Sequence, residues 1–81
     1  MKAKIHITLK PGILDPQGKT IQHALATLGF AGIADVRVGK LIEMSFEGLS
    51  AERARAVAEE ACQKLLANPV IENYSLSFVN E

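Results

Sequence analysis

Apolar residues fall at every second position in Ala3-Lys4-Ile5-His6-Ile7-Thr8-Leu9, the period of a strand with one buried face. The period then lengthens. Ile21, Ala24, Leu25 and Leu28 share one helical stripe while Lys19, Gln22, His23 and Thr27 point elsewhere, so a first helix follows the strand. Gly29 supplies the left-handed residue that stops this helix, with Phe30 placed to touch Leu25 across its end. Alternation returns in Asp35-Val36-Arg37-Val38, breaks at Gly39-Lys40 and resumes in Ile42-Glu43-Met44-Ser45-Phe46. That predicts a hairpin, in which a three-residue loop pairs Val38 with Ile42 and Val36 with Met44 and keeps the apolar set on one face. One long bent strand through Gly39 is the alternative. Ser50 caps a second helix with Glu52 in its first turn, and Ala54, Val57, Ala58, Ala61 and Leu65 form its buried stripe. Glu60 and Lys64 on its wet face make a favourable pair one turn apart. Asn68 precedes Pro69 and is pushed out of helical space, so this helix is over by Ala67. The last strand runs from Ile71 to Val79, with Tyr74, Leu76 and Phe78 on one face.

The resulting order is strand, helix, strand, strand, helix, strand. Right-handed crossovers then place both helices on one face of a four-stranded antiparallel sheet, a ferredoxin-like βαββαβ arrangement of the α+β class. The opposite face carries Lys4, His6, Thr8, Arg37, Ser75 and Ser77, all polar, and the strand with Val36 and Val38 offers an unpaired edge.

The connection Lys10-Pro11-Gly12-Ile13-Leu14-Asp15-Pro16-Gln17-Gly18-Lys19 joins the first strand to the first helix. Pro11 ends the strand ladder, Asp15 stands where an N-cap belongs, and Pro16 takes the first helical position. The Asp15 carboxylate is placed to accept from the backbone N–H of Gln17 or Gly18. Gly18 is unexpected there, because glycine inside a helix costs about 1 kcal/mol relative to alanine. Either the connector is simply tight, or Gly18 lets the backbone of a partner or neighbouring subunit come close.

With 81 residues and 48% hydrophobic side chains, the chain carries a single domain, 1–81, around one thin core. Domains this short bury only about 60% of their unfolded surface and depend on help from metals, disulfides or association. The lone Cys62 removes the disulfide route and no His/Cys cluster supplies a metal, so association is the expected stabiliser. Nine basic and nine acidic residues give zero net charge, which leaves no electrostatic footprint for nucleic acid or an anionic membrane. No apolar run approaches the length of a membrane span, and the start alternates instead of forming a signal peptide's apolar block, so a soluble cytoplasmic protein is expected.

Catalytic machinery is not visible. Cys62 falls beside the apolar stripe of the second helix, and His6 and His23 sit on different elements without a positioned acid. Gly39-Lys40 lacks the rest of a phosphate loop, since Ala34 stands where its first glycine belongs and Leu41 where Ser or Thr belongs. RNA recognition on a sheet face needs stacking aromatics, and the chain has no Trp, one Tyr and three Phe. What no packing argument requires is a set of polar residues around two loops: Lys10 and Gln17 at the first, Arg37 and Lys40 at the hairpin. Together they read as a partner-binding rim, not a reaction centre.

Four stretches carry a family resemblance. They are Lys10 with Gly12 to Gly18, Leu28-Gly29-Phe30, Val36-Arg37-Val38-Gly39-Lys40, and Leu66-Ala67-Asn68-Pro69-Val70-Ile71-Glu72-Asn73-Tyr74. In order and spacing they resemble the PurS family, the small subunit of the multi-protein phosphoribosylformylglycinamidine synthase of purine biosynthesis. The resemblance implies a non-catalytic subunit that bridges a glutaminase subunit and an ATP-dependent synthetase subunit and helps ammonia pass between them. It implies a homodimer or a tetramer of dimers, with ATP, Mg and glutamine used by the complex and no cofactor bound by this chain. Through motif position Asp15 joins Lys10, Gln17, Arg37 and Lys40 as an expected partner contact. Two rivals keep the same topology: a regulatory module binding a small molecule at a subunit interface, and an acylphosphatase-like hydrolase, which needs an arginine that the first loop lacks.

Overall fold

The computed structural model describes residues 1–80. Strand β1 (Lys2–Leu9) is the middle of a three-stranded antiparallel sheet, flanked by β2 (Lys40–Ser45) and β3 (Glu72–Val79). The register follows from the alternation. Ile5 stands opposite Ile42 and Leu76, and Ala3 opposite Met44 and Phe78, which gathers the apolar residues on one face. Lys4 opposite Glu43 and Ser77, and His6 opposite Ser75, make the other face largely polar, with the half-exposed Leu41 opposite His6 as an apolar exception.

Helix α2 (Ala51–Ala61) covers the apolar face. Its start is fixed as expected, with the Ser50 hydroxyl accepting from the Arg53 N–H at 3.1 Å. Ala54, Ala58 and Cys62 are fully buried, and their small side chains let the helix lie close on Ile5 and Ile7. The helix leans toward β3: the Tyr74 hydroxyl donates to Glu59 Oε1 at 2.7 Å, and the Arg55 guanidinium stands 5.1 Å above the Phe78 ring. The Glu60–Lys64 pair forms at 2.6 Å.

The expected stripe fails at one residue, Leu65, which is 81% exposed. After Ala61 the helix widens into a π-helical turn, Cys62–Leu66, closed by the Ala67 N–H on the Cys62 carbonyl at 3.1 Å. The wider turn advances the inward face by one residue, so Leu66 packs on the core in place of Leu65.

The expected fourth strand and hairpin do not form. Residues 31–39 pair with no strand and run into β2 with neither turn nor bend, so among the described residues the sheet has three strands; the chain passes Gly39 without a closed turn, and since 35–38 are not strand the single long bent strand does not form either. Nor does α1 (Pro16–Thr27) lie on the sheet. Its stripe faces outward, with Ile21 41% and Leu28 73% exposed. The reason lies in where the backbone groups of 33–38 find partners. The Val38 N–H donates to Asp15 Oδ2 at 2.7 Å, and the Gln22 amide donates to the carbonyls of Ile33 at 3.3 Å and Ala34 at 3.0 Å. The return segment is therefore tied to the first half of α1 instead of folding back on β2.

Helix and return segment form an arm that projects past the end of the sheet. The molecule measures 51 × 28 × 14 Å. Its radius of gyration, 16.4 Å, exceeds the roughly 12 Å of a compact chain of this length. The end of α1 is closed as the sequence predicts, with Gly29 at φ 94° and the Phe30 N–H on the Leu25 carbonyl at 3.0 Å. Among the described residues no helix is long and apolar enough to cross a membrane.

Gly18 has its explanation here. A Cβ at this position would stand 2.0 Å from the Val36 carbonyl oxygen, so the backbone that approaches is the chain's own. On helix propensity alone Gly18→Ala would stabilise by about 1 kcal/mol. The overlap with a backbone atom reverses the sign, and a net loss of about 1–3 kcal/mol is expected in urea unfolding. A Gly18→Ala chain as stable as the parent would show that the close approach is absent.

Candidate functional site

The five residues expected to meet partners gather where β1 ends, α1 begins and the return segment enters β2. At the centre is Asp15, only 4% exposed, with both carboxylate oxygens engaged. Oδ1 accepts from the Gly18 N–H at 2.8 Å, which caps α1, and Oδ2 accepts from Val38. Its carboxyl is held below its ordinary value of 3.8, chiefly by the Val38 and Gly18 N–H bonds, with the nearby Arg37 charge assisting against the effect of burial.

Arg37 is also spent inward. Its guanidinium donates to the Ile13 carbonyl at 2.9 Å and the Lys10 carbonyl at 3.3 Å, tying the return segment to the turn after β1. The Lys10 carbonyl also accepts from the Ile13 N–H at 3.1 Å, so the forked cation reinforces a turn that already closes on itself. Gln17 and Lys40 are exposed and Lys10 is half-buried. Lys40 Nζ reaches Glu72 at 4.0 Å, while Glu72 Oε1 accepts from the Asn68 N–H at 2.6 Å.

Two cavities open on either side of Asp15. One, of about 440 Å³, places Gln17, Lys40 and Glu72 around an apolar wall that includes Ile7, Leu9 and Val38. The other, of about 520 Å³, is bounded by the Gly12–Asp15 turn, Lys19 and the 34–37 segment, with Arg37 on its wall. Asp15, Gln17 and Lys40 thus share one hollow, Asp15 and Arg37 the other, and Lys10 touches the group through its carbonyl. Glu72 belongs to the same group and escaped the sequence reading. Its signal was the Asn68-Pro69 turn, which brings a side chain four residues on back to the Asn68 N–H.

Among the described residues no three His, Cys, Asp or Glu side chains come together to hold a metal. Cys62 lies in the core, where burial pushes its thiol up, and the Tyr74 hydroxyl is pushed up by its bond to Glu59.

Residues 2–80 match the family model of PurS, phosphoribosylformylglycinamidine (FGAM) synthase. The chain belongs to the PurS family. It is 47% identical over 75 residues to the phosphoribosylformylglycinamidine synthase subunit PurS of Methanocaldococcus jannaschii, covering 93% of this chain and 90% of the relative. Among solved structures it is similar to Bacillus subtilis PurS, at 42% identity and a TM-score of 0.82 with 94% of each chain covered. It is also similar to a chain in the structure of PurLQS from Thermotoga maritima, at 32% identity and a TM-score of 0.82, covering 94% of this chain and 93% of that one.

The lowered carboxyl of Asp15 gives a pH dependence with a definite sign. A group that ionises more readily when folded contributes stability above its unfolded value, and this is lost as pH falls through the folded value. The thermal midpoint is expected to fall below about pH 4 partly through this group. Asp15→Asn keeps an acceptor for Gly18 but must abandon either that bond or the Val38 N–H. It is expected to lower the midpoint at pH 7 and to flatten the acid limb. An acid limb identical to that of the parent would remove Asp15 as its source.

Proposed function

We propose that this chain is the small, non-catalytic subunit of a phosphoribosylformylglycinamidine synthase, bridging a glutaminase subunit and an ATP-dependent synthetase subunit and assisting the passage of ammonia between them. Family membership across residues 2–80, with a structural relative that is one chain of PurLQS, carries this reading. On this reading ATP, Mg and glutamine are bound by the partner subunits, and the assembly works in the cytoplasm. The chain is a homo-oligomer, a dimer or a tetramer of dimers, and its outward-facing apolar helix α1 supports this.

The contact residues divide by geometry. Lys10, Gln17 and Lys40 meet the partners directly around the Asp15 hollow, while Asp15 and Arg37 contribute by holding the arm that presents them. Lys40→Glu and Gln17→Ala are therefore expected to weaken complex formation about tenfold or more with unchanged circular dichroism, each 1.4 kcal/mol being tenfold. Arg37→Ala is expected to lower the thermal midpoint as well. Complex formation unaffected by Lys40→Glu would take the rim out of the interface.

The activity itself is tested with the glutaminase and synthetase subunits, assayed with and without this chain. Glutamine-dependent amidine synthesis is expected to need the chain, while synthesis from added ammonia is not. Equal dependence of both rates, or of neither, would contradict the bridging role.

A further inference from the structure

The two most exposed large apolar side chains among the described residues are Leu65, at 81%, and Val70, at 77%. They lie five residues apart, and irregular backbone turns each of them outward. Leu65 is put outside by the π-helical turn, which gives its place on the core to Leu66. Val70 is put outside by the turn that follows. Asn68 holds that turn through three of its groups. Its N–H donates to Glu72 Oε1 at 2.6 Å, its Oδ1 accepts from the Val70 N–H at 3.1 Å, and its carbonyl accepts from the Ile71 and Glu72 N–H groups at 3.1 and 2.7 Å. Pro69 fixes φ between Asn68 and Val70, and the Lys10 N–H on the Ile71 carbonyl at 2.8 Å ties the turn to the end of β1.

A single exposed leucine needs no explanation. Here, however, the bonds run through the backbone and through Asn68 and Glu72, so a polar residue at position 70 would keep them all. Side chains carried on backbone that is already fixed lose little freedom on binding, so most of the gain from covering them is kept. The polar groups beside Leu65 are balanced within the chain. Lys64 lies on Glu60 at 2.6 Å, and the Gln63 amide donates to Glu59 at 3.1 Å. On the other side Glu72 leads from the turn to Lys40, 4.0 Å away, and to the hollow that Gln17 borders. The turn is thus continuous with the polar rim, and the two together have the anatomy of a protein interface, apolar residues flanked by polar ones.

We propose that Leu65 and Val70 are the apolar anchors by which this chain holds a catalytic subunit, entering an apolar recess on that subunit while Lys40 and Gln17 form the polar margin. This rests on the assembly reading above and adds the apolar contacts to it. Contact between copies of this chain has its own apolar surface in the stripe of α1, where Ile21 and Leu28 stand outward, so the anchors are left for a different chain. The two kinds of contact respond differently to salt. Ions screen the charge of Lys40, whereas the gain from removing Leu65 and Val70 from water is not electrostatic.

The test mixes this chain with the glutaminase and synthetase subunits and follows binding by biolayer interferometry in low and high sodium chloride. Leu65→Ser and Val70→Ser are each expected to weaken complex formation about tenfold at either salt concentration, while the loss from Lys40→Glu shrinks as salt rises. Leu65→Met and Val70→Ile keep the apolar area and are expected to bind like the parent. Both side chains already face water in the single chain, so all four variants are expected to keep the parent's circular dichroism and, by light scattering, the parent's own mass. Parental binding by a chain carrying both serines would overturn the anchors while leaving the assembly reading intact. A serine variant whose own mass changes would place the two residues between copies of this chain and overturn the anchors as well. A parent chain that joins neither subunit would overturn both readings.

Discussion

The carboxylate of Asp15 decides the shape of this molecule. One oxygen caps α1 and the other receives the Val38 N–H, so a single side chain fixes both the start of the helix and the path of the segment that returns from it. Gly18 and Arg37 serve the same junction. The first removes the side chain that would strike the Val36 carbonyl, and the second ties the return segment to the turn after β1. Without these bonds the donors and acceptors of 33–38 would be free to fold back on β2, and the chain would close into a compact hairpin. With them, it extends an arm.

An arm of this kind is costly for a short chain standing alone. It leaves Ile21 and Leu28 facing water and a sheet with an open edge, which a monomer would ordinarily avoid by covering or charging that edge. The same features suit a subunit whose work is assembly. A small core under α2 keeps the sheet intact, while the arm carries exposed apolar residues and the hollow beside Asp15 has Gln17 and Lys40 on its wall at the base of the arm. The buried Cys62 thiol and the Tyr74–Glu59 bond belong to packing.

Much of this was legible in the sequence. Strict alternation located β1 and β3 to within a residue, Asp15 and Ser50 announced the helix starts, and Gly29 the stop. The hairpin was not legible for a physical reason: Val36, Val38, Ile42 and Met44 share a face whether the pairing strand comes from the same chain or another, so side-chain pattern cannot distinguish a closed turn from an open one. Leu65 was misplaced because a π-helical turn is a backbone event with no periodic signature. Asp15 and Arg37 were expected to meet partners, Arg37 as a residue that no packing argument requires and Asp15 by motif position, whereas in the structure both are engaged by backbone groups of the chain itself, which a side-chain pattern does not display.

The central claim is that one carboxylate joins α1 and the return segment into a single unit. Amide hydrogen exchange on the parent and on Asp15→Asn at neutral pH tests it directly. The account predicts that residues 16–22 and 33–38 lose protection together in the variant while α2 and β3 keep theirs. Protection lost in only one of the two segments, or in neither, would contradict it.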